Sequence, residues 1–412
     1  MQASTKRIQE HIETIATFTA TPGQGTTRMS YSEQDVQVRH YIKQQMAQAG
    51  LTVYEDAMGN IFGRLNGKNP DLPVVLIGSH FDSVPNGGAF DGPAGVVMGL
   101  EIATLFKEYN LVPEYPLEVV ALVEEEGASF GGGLLASRAI AGQVSTADLK
   151  SMRDSQGVSA AERMAALGFD ANKIAEAVRK PEQLKAFIEL HIEQGPILEQ
   201  SGEDIGIVET IVGLSQMIVT VEGKAGHAGT TPMNMRADAL LASSQLVQQV
   251  AGFAVAEGET VATVGKLQVF PNGANVIPSK VIFSIDVRSK DQQKLDRVID
   301  QIKQAIAQAQ TQFIKTQIEQ PIYVKPINLD KEICQLLTEN SDKLNLKSRV
   351  MVSGAGHDAM VFAGFTRVGL IFVPSRNGLS HHPDEWTDYD QIQKGVEVIF
   401  ETVKALTKAK AE

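Results

Sequence analysis

The chain has 412 residues, 21% of them charged and 43% hydrophobic, with a formal net charge of −12 at pH 7. That composition excludes a disordered chain and supplies core material for two or three domains. The acidic balance disfavours nucleic acid and anionic membrane surfaces as partners. A single cysteine, Cys334, excludes an intrachain disulfide and any zinc site built on paired thiolates. No uninterrupted apolar run approaches the ~20 residues of a membrane span. Glu10 and Glu13 interrupt the N-terminal segment where a signal peptide would be apolar. A cytoplasmic protein is expected.

In chain order, residues 4–20 and 33–49 have helical spacing. Short apolar runs follow, each closed by a glycine-rich or polar loop. VVLIG (74–78) leads into SHFDSVPNGGAFDG, and LEVVALV (117–123) leads into EEEGASFGGG. AFIEL (186–190) leads into HIEQG, and VGLIFV (368–373) leads into PSRNGLSHHPDEW. Near-continuous apolar strands predict a buried, mostly parallel sheet covered by helices on both faces. Functional groups gather at strand ends in such sheets. Between about 212 and 325 the pattern changes. QMIVTVE (216–222) alternates as a half-buried strand, and a helix is predicted at about 236–256. Strands at 260–269 and 280–288 and a helix at about 291–312 complete a β-α-β-β-α-β order. The expected fold class is therefore α/β. Residues 1–211 and 326–412 form a large domain, and 212–325 form a smaller α+β domain inserted into it.

Six of the eight histidines lie in loops rather than in the N-terminal helices. His80 and Asp82 sit at one strand end, with Asp91 following. Glu124, Glu125 and Glu126 follow a second strand, His191 a third, and His381 and His382 lie near the C-terminus. Imidazoles and carboxylates without thiolates suit Zn²⁺, Mn²⁺, Co²⁺ or Ni²⁺. Carboxylates crowded at neighbouring strand ends repel one another unless a cation stands between them. Solvated loop acids are the bland alternative, but they leave three consecutive glutamates after LEVVALV unexplained. A dinucleotide loop is excluded at GAG (354–356), which lacks the third glycine of the fingerprint.

GSHFDSVPNGGAFDGPAG, EEEGASFGGG, ELHIEQGPILE, GHAGTTPM, NVIPSKVIFSIDVR, SGAGHDA and LSHHPDEW, in this order, resemble the motifs of one family. It is the amidase, hydantoinase/carbamoylase branch of the dinuclear-metal M20 peptidases. The resemblance implies a catalytic domain binding two divalent ions, Zn²⁺ or Mn²⁺ with Co²⁺ or Ni²⁺ possible, and a ferredoxin-like dimerisation or lid domain. It puts His80 and His191 on one ion, Glu126 and His381 on the other, and Asp91 between them. Asp82 corresponds to the carboxylate behind His80, and Glu125 to the general base. From the small domain it implies His227 as oxyanion donor, reaching a neighbouring subunit in a homodimer. It also implies Gln216, Asn275 and Arg288 as substrate contacts. Gly356 and His357 are further candidates, although His357 could equally be structural. The substrate implied is an N-carbamoyl-L-amino acid. Allantoate and N-carbamoyl-β-alanine are the alternatives, and Leu214 favours an amino-acid side chain over a second ureido group. A catalytically inactive metal-binding protein is the rival from another class, and a full ligand set with Glu125 argues against it. An acid is usual where His191 stands in peptidases of the wider family, which argues against peptide substrates.

Overall fold

The computed structural model describes residues 2–411, in two compact units. The larger contains residues up to Glu209, Leu329–Met351 and the chain from His357 onward. The smaller contains Thr210–Asn328 and Val352–Gly356. The second crossing therefore differs from the sequence expectation, which left the whole of 326–412 in the larger domain. Residues 352–356 are tied to the smaller unit by bonds from Val212 N–H to Ser353 O and from Arg288 Nη1 to Gly354 O.

The sheet of the larger unit contains β1 (Thr52–Glu55), β2 (Ile61–Leu65), β3 (Val74–His80), β4 (Leu117–Leu122), β5 (Leu184–Ile192) and β6 (Ile205–Ile211). Across the smaller unit the strands are β7 (Gly213–Glu222), β8 (Thr260–Thr263), β9 (Leu267–Phe270), β10 (Lys280–Ser289) and β11 (Lys315–Val324). The strand β12 (Val368–Val373) belongs again to the larger unit. The large sheet runs β1-β2-β4-β3-β5-β12-β6. Its four central strands, β4, β3, β5 and β12, are mutually parallel, and antiparallel strands flank them. β3 and β4 are buried along their whole length, as their near-continuous apolar runs require, and the one acid in β4, Glu118, is paired with Arg64 and Arg179.

Side chains alternate across β5. Phe187 stacks on Phe362 of the helix Asp358–Phe362, while Leu190 packs against Gly395 of the helix Tyr389–Thr407. Helices thus cover both faces. The N-terminal helices are Thr5–Thr17 and Glu33–Gln48, with Ser4 and Ser32 capping Arg7 N–H and Asp35 N–H.

The smaller unit's sheet runs β8-β10-β7-β11, all antiparallel, with β9 also on β10. The single strand expected over 260–269 is broken at 264–266. There Ser284 N–H donates to Lys266 O and Lys266 N–H donates to Ser284 Oγ, which kinks the chain around Gly265. Helices Ala239–Glu257 and Gln292–Gln308 cover one face. Met217, Val219, Phe283, Ile285, Leu246 and Val298 meet in that core. The helix Ala239–Glu257 has the length and composition to cross a membrane, but one face of it, with Leu246 and Val250, is buried in this core.

Candidate active site

Four loops of the larger unit leave the C-terminal ends of its four parallel strands, the usual position for a site in such a sheet. β3 ends on His80. The Nδ1 of His80 faces Asp82, 3.2 Å from its backbone oxygen and 3.4 Å from Oδ1, which directs Nε2 toward Asp91. Asp82 also accepts the backbone N–H groups of Glu125 and Glu126, at 3.0 and 3.2 Å. One carboxylate therefore orients an imidazole and pins the glutamate turn after β4. Gly92, at φ +80°, closes the Asp91 loop over His80. A Cβ there would stand 2.4 Å from the ring, so a side chain would drive the loop off.

Asp91 is the centre of the cluster. Its Oδ1 lies 3.1 Å from His191 Nε2 and 3.4 Å from His80 Nε2. Its Oδ2 lies 3.2 Å from His381 Nε2, and Glu126 Oε2 lies 3.4 Å from the same nitrogen. Donor atoms of His80, Asp91 and His191 fall within 4.8 Å of one another, as do those of Asp91, Glu126 and His381. His80, Glu125 and Glu126 form a third such group. His80 Nε2 is buried without a hydrogen-bond partner. His80, Asp91 and His191 are buried, Glu126 is half-buried and His381 exposed, and such imidazole and carboxylate donors fit a divalent first-row ion.

The electrostatics agree with that chemistry. Burial would raise the Asp91 carboxyl, but His191, His381 and His80 hold it well below the usual range. Burial would lower His80, but Glu125, Asp82 and Asp91 hold it well above. Burial drives Glu125 well above the usual carboxylate range despite His80, and Glu126 adds to the rise. Such crowding of like charge is relieved by a cation.

The glutamate run divides its tasks. Glu124, in a left-handed turn at φ +58°, accepts N–H bonds from Ser129 and Phe130 and so shapes the glycine-rich loop. Glu125 Oε2 lies 3.8 Å from His80 Nε2. Glu126 faces His381. Of the adjacent histidines, His381 faces the cluster from a backbone at φ +54°, whereas His382 turns to Asp384, whose N–H donates to its Nδ1.

Sequence reasoning missed two residues, Gln194 and Glu385. Gln194 Nε2 lies 2.7 Å from Asp91 Oδ2 and 3.2 Å from Ser380 Oγ. Glu385 accepts the N–H groups of Phe90 and Asp91 at 3.1 Å each, and Ser380 Oγ donates to it at 2.9 Å. Glu385 thereby ties the Asp91 loop to the His381 loop. Both acid and amide stand inside quoted motifs, HIEQG and SHHPDEW, and that was the available signal. His357, 1% exposed, packs its ring on His191 at 4.5 Å between centroids. Burial and then His191 keep it well below the usual imidazole value, so it packs as a neutral ring.

The predicted substrate contacts of the smaller unit form two groups. His227 is exposed on a short ladder, paired with Val276 beside Asn275, whose carbonyl accepts Ala228 N–H. Gln216, Asp286 and Arg288 meet on the sheet face away from the helices, and Gly354 joins them through Arg288. Gly356 belongs to this unit.

The profile of peptidase family M20/M25/M40 matches residues 76–405. An N-carbamoyl-L-amino-acid amidohydrolase of Paenarthrobacter aurescens is 43% identical over 410 residues, 99% of each chain. An allantoate amidohydrolase of Escherichia coli K12 is 39% identical, covering 95% of each. The crystal structure of a hydantoinase/carbamoylase family amidase from Burkholderia multivorans superposes with a TM-score of 0.91 at 34% identity, over 98% of each chain. Sharing this similarity along its whole length, and carrying a cluster of metal-compatible donors in the loops after its strands, the chain belongs to the M20/M25/M40 peptidase family.

Proposed function

We propose that the protein is a metal-dependent amidohydrolase that cleaves the ureido C–N bond of N-carbamoyl-L-amino acids, giving the amino acid, CO₂ and ammonia in the cytoplasm. The observation that carries this reading is Asp91, which faces His80 and His191 with one oxygen and His381 with the other. His80, His191 and Asp91 would hold one divalent ion; Glu126, His381 and Asp91 would hold a second. Zn²⁺ or Mn²⁺ suits these donors, with Co²⁺ or Ni²⁺ able to substitute. Bound ions would supply Lewis acidity and lower the pKa of water. Glu125 takes the proton of the attacking water and passes it to the leaving nitrogen. His227 donates to the developing oxyanion, and Gln216, Asn275 and Arg288 hold the ureido and carboxylate groups. His357 supports this site through His191, and Gly356 is a backbone contact near the substrate.

Allantoate hydrolysis is the second reading, since a relative bears that activity's name. Leu214 favours the first. It lies directly opposite Arg288 in the β7–β10 register, so an apolar side chain neighbours the residue assigned to the carboxylate. Turnover of N-carbamoyl-L-methionine, N-carbamoyl-β-alanine and allantoate by the metal-loaded enzyme tests the choice. Highest kcat/KM on the first is expected; highest on allantoate would transfer the assignment to the second reading. Arg288→Lys keeps the charge but removes the planar fork. A fall of at least ~10-fold in kcat/KM is expected for substrates with a free carboxylate. An unchanged value would reduce Arg288 to an ion-pair residue of the sheet.

The same reading includes a homodimer of smaller units in which His227 serves the neighbouring subunit. Its support is an apolar surface: Leu241 and Val255 on the helix Ala239–Glu257 are 53% and 82% exposed, and Val261 on the edge strand β8 is 62% exposed. Glu125→Gln and His227→Ala, each inactive alone, should complement when unfolded and refolded together. In a mixed dimer one of two sites is intact, so random pairing restores roughly a quarter of wild-type activity. Confirmed mixed dimers without recovery would show that His227 serves its own chain.

A further inference from the structure

We propose that Asp286 is a positioning residue that presents Arg288 and Gln216 to the substrate carboxylate; this rests on the carbamoylase reading above. On β10 the side chains of Val281, Phe283, Ile285 and Val287 enter the core, so Asp286 and Arg288 share the opposite face. Gln216 stands directly across from Asp286 on β7. Asp286 Oδ1 accepts Arg288 Nε–H at 2.8 Å. Its Oδ2 accepts from Arg288 Nη2 at 3.2 Å and from Gln216 Nε2 at 3.1 Å. Arg288 Nη1 donates to Gly354 O at 2.7 Å.

A guanidinium has five N–H bonds, two on each terminal nitrogen. Asp286 occupies the side of the fork that carries Nε, and Gly354 takes one bond of Nη1. One N–H remains on each of Nη1 and Nη2, which is what a carboxylate needs for a two-point contact. Asp286 thus fixes the plane of the guanidinium while leaving its end open. It also fixes the Gln216 amide, so that two substrate contacts are set by one acid.

Asp286 carries a negative charge near the proposed anion, and that opposes binding. The side chains of Arg288 and Asp286 are 32% and 28% exposed, so water and salt screen the repulsion. Loss of orientation is not screened, because a released arginine samples many rotamers. Positioning therefore outweighs repulsion, and removal of Asp286 weakens carboxylate binding.

The experiment uses the full-length metal-loaded enzyme with N-carbamoyl-L-methionine and its carboxamide, which lacks the negative charge. Asp286→Ala should raise KM for the acid at least ~10-fold with kcat within ~3-fold, and shift KM for the amide less than ~2-fold. Asp286→Asn, which keeps one acceptor and the same shape, should fall between Asp286→Ala and wild type. In an Arg288→Ala background, Asp286→Ala should add no loss on the acid, since nothing remains to position. Equal losses on acid and amide, a loss persisting without Arg288, or a lowered KM would each overturn the proposal. Those outcomes leave the carbamoylase reading intact if the unmodified enzyme turns over the acid. No turnover by the unmodified enzyme would overturn both.

Discussion

Glu125→Gln should lose at least ~100-fold in kcat while retaining its metal, since general-base catalysis contributes typically 10²–10⁴. The amide keeps the volume of the carboxylate but accepts no proton. Its backbone remains held, because the bond from Glu125 N–H to Asp82 does not involve the side chain. The metal-free protein offers a second readout. Burial first, with Glu126 among the contributors, holds the folded Glu125 carboxyl well above its ordinary value. An acid raised in the folded state costs stability at any pH above its unfolded value near ~4.3, and the cost vanishes below it. At pH 7 the metal-free Glu125→Gln protein should therefore melt no lower than metal-free wild type. Elemental analysis decides the role itself. If the variant loses metal in proportion to activity, Glu125 is a ligand, as its proximity to His80 and Glu126 would permit, and the base must be sought elsewhere.

Much of the site was legible because strand ends in a parallel sheet are marked by composition. A buried strand such as VVLIG must end in a loop, and polar residues beginning that loop stand at the sheet's edge whatever the rest of the fold does. His80, Glu124–Glu126 and His191 needed only this local logic, and His381 needed the motif around it. Division of labour within the glutamate run was less legible. It depends on a left-handed backbone at Glu124, which turns that carboxylate back onto Ser129 and Phe130. No side-chain pattern announces such a turn. Glu385 and Gln194 stand inside motifs, but their tie to Asp91 was not legible, because Asp91 lies far from both in sequence and only the closed sheet brings them together. The same holds for residues 352–356, which pair with Val212 and Arg288 across a long stretch of chain. The break at 264–266 reflects tertiary hydrogen bonds to Ser284, which override a continuous β-like run.

Removal of divalent ions should abolish activity, and the order of loss among ligand variants should reproduce the geometry around Asp91. A chelator lowers activity to background under this reading, and Mn²⁺, Co²⁺, Ni²⁺ or Zn²⁺ restores it to differing extents, because imidazole–carboxylate sets accept several of these ions. Changes behind a ligand commonly cost ~10–100-fold in metal affinity. Asp82→Asn should fall in that range, since Asp82 orients His80 without facing the cluster through its own carboxylate. His381→Ala should cost more, because His381 Nε2 stands 3.2 Å from Asp91 and 3.4 Å from Glu126. His382→Ala should cost little, because its ring is engaged by Asp384 N–H and lies half exposed. Metal affinity measured by competition with a chromophoric chelator gives the three values directly. A larger loss for His382→Ala than for His381→Ala would move the second ion to His382, and with it the assignment of Glu126. Full activity in the exhaustively chelated enzyme would remove the metals from the chemistry altogether and leave the histidine–carboxylate cluster as a hydrogen-bonded structural centre.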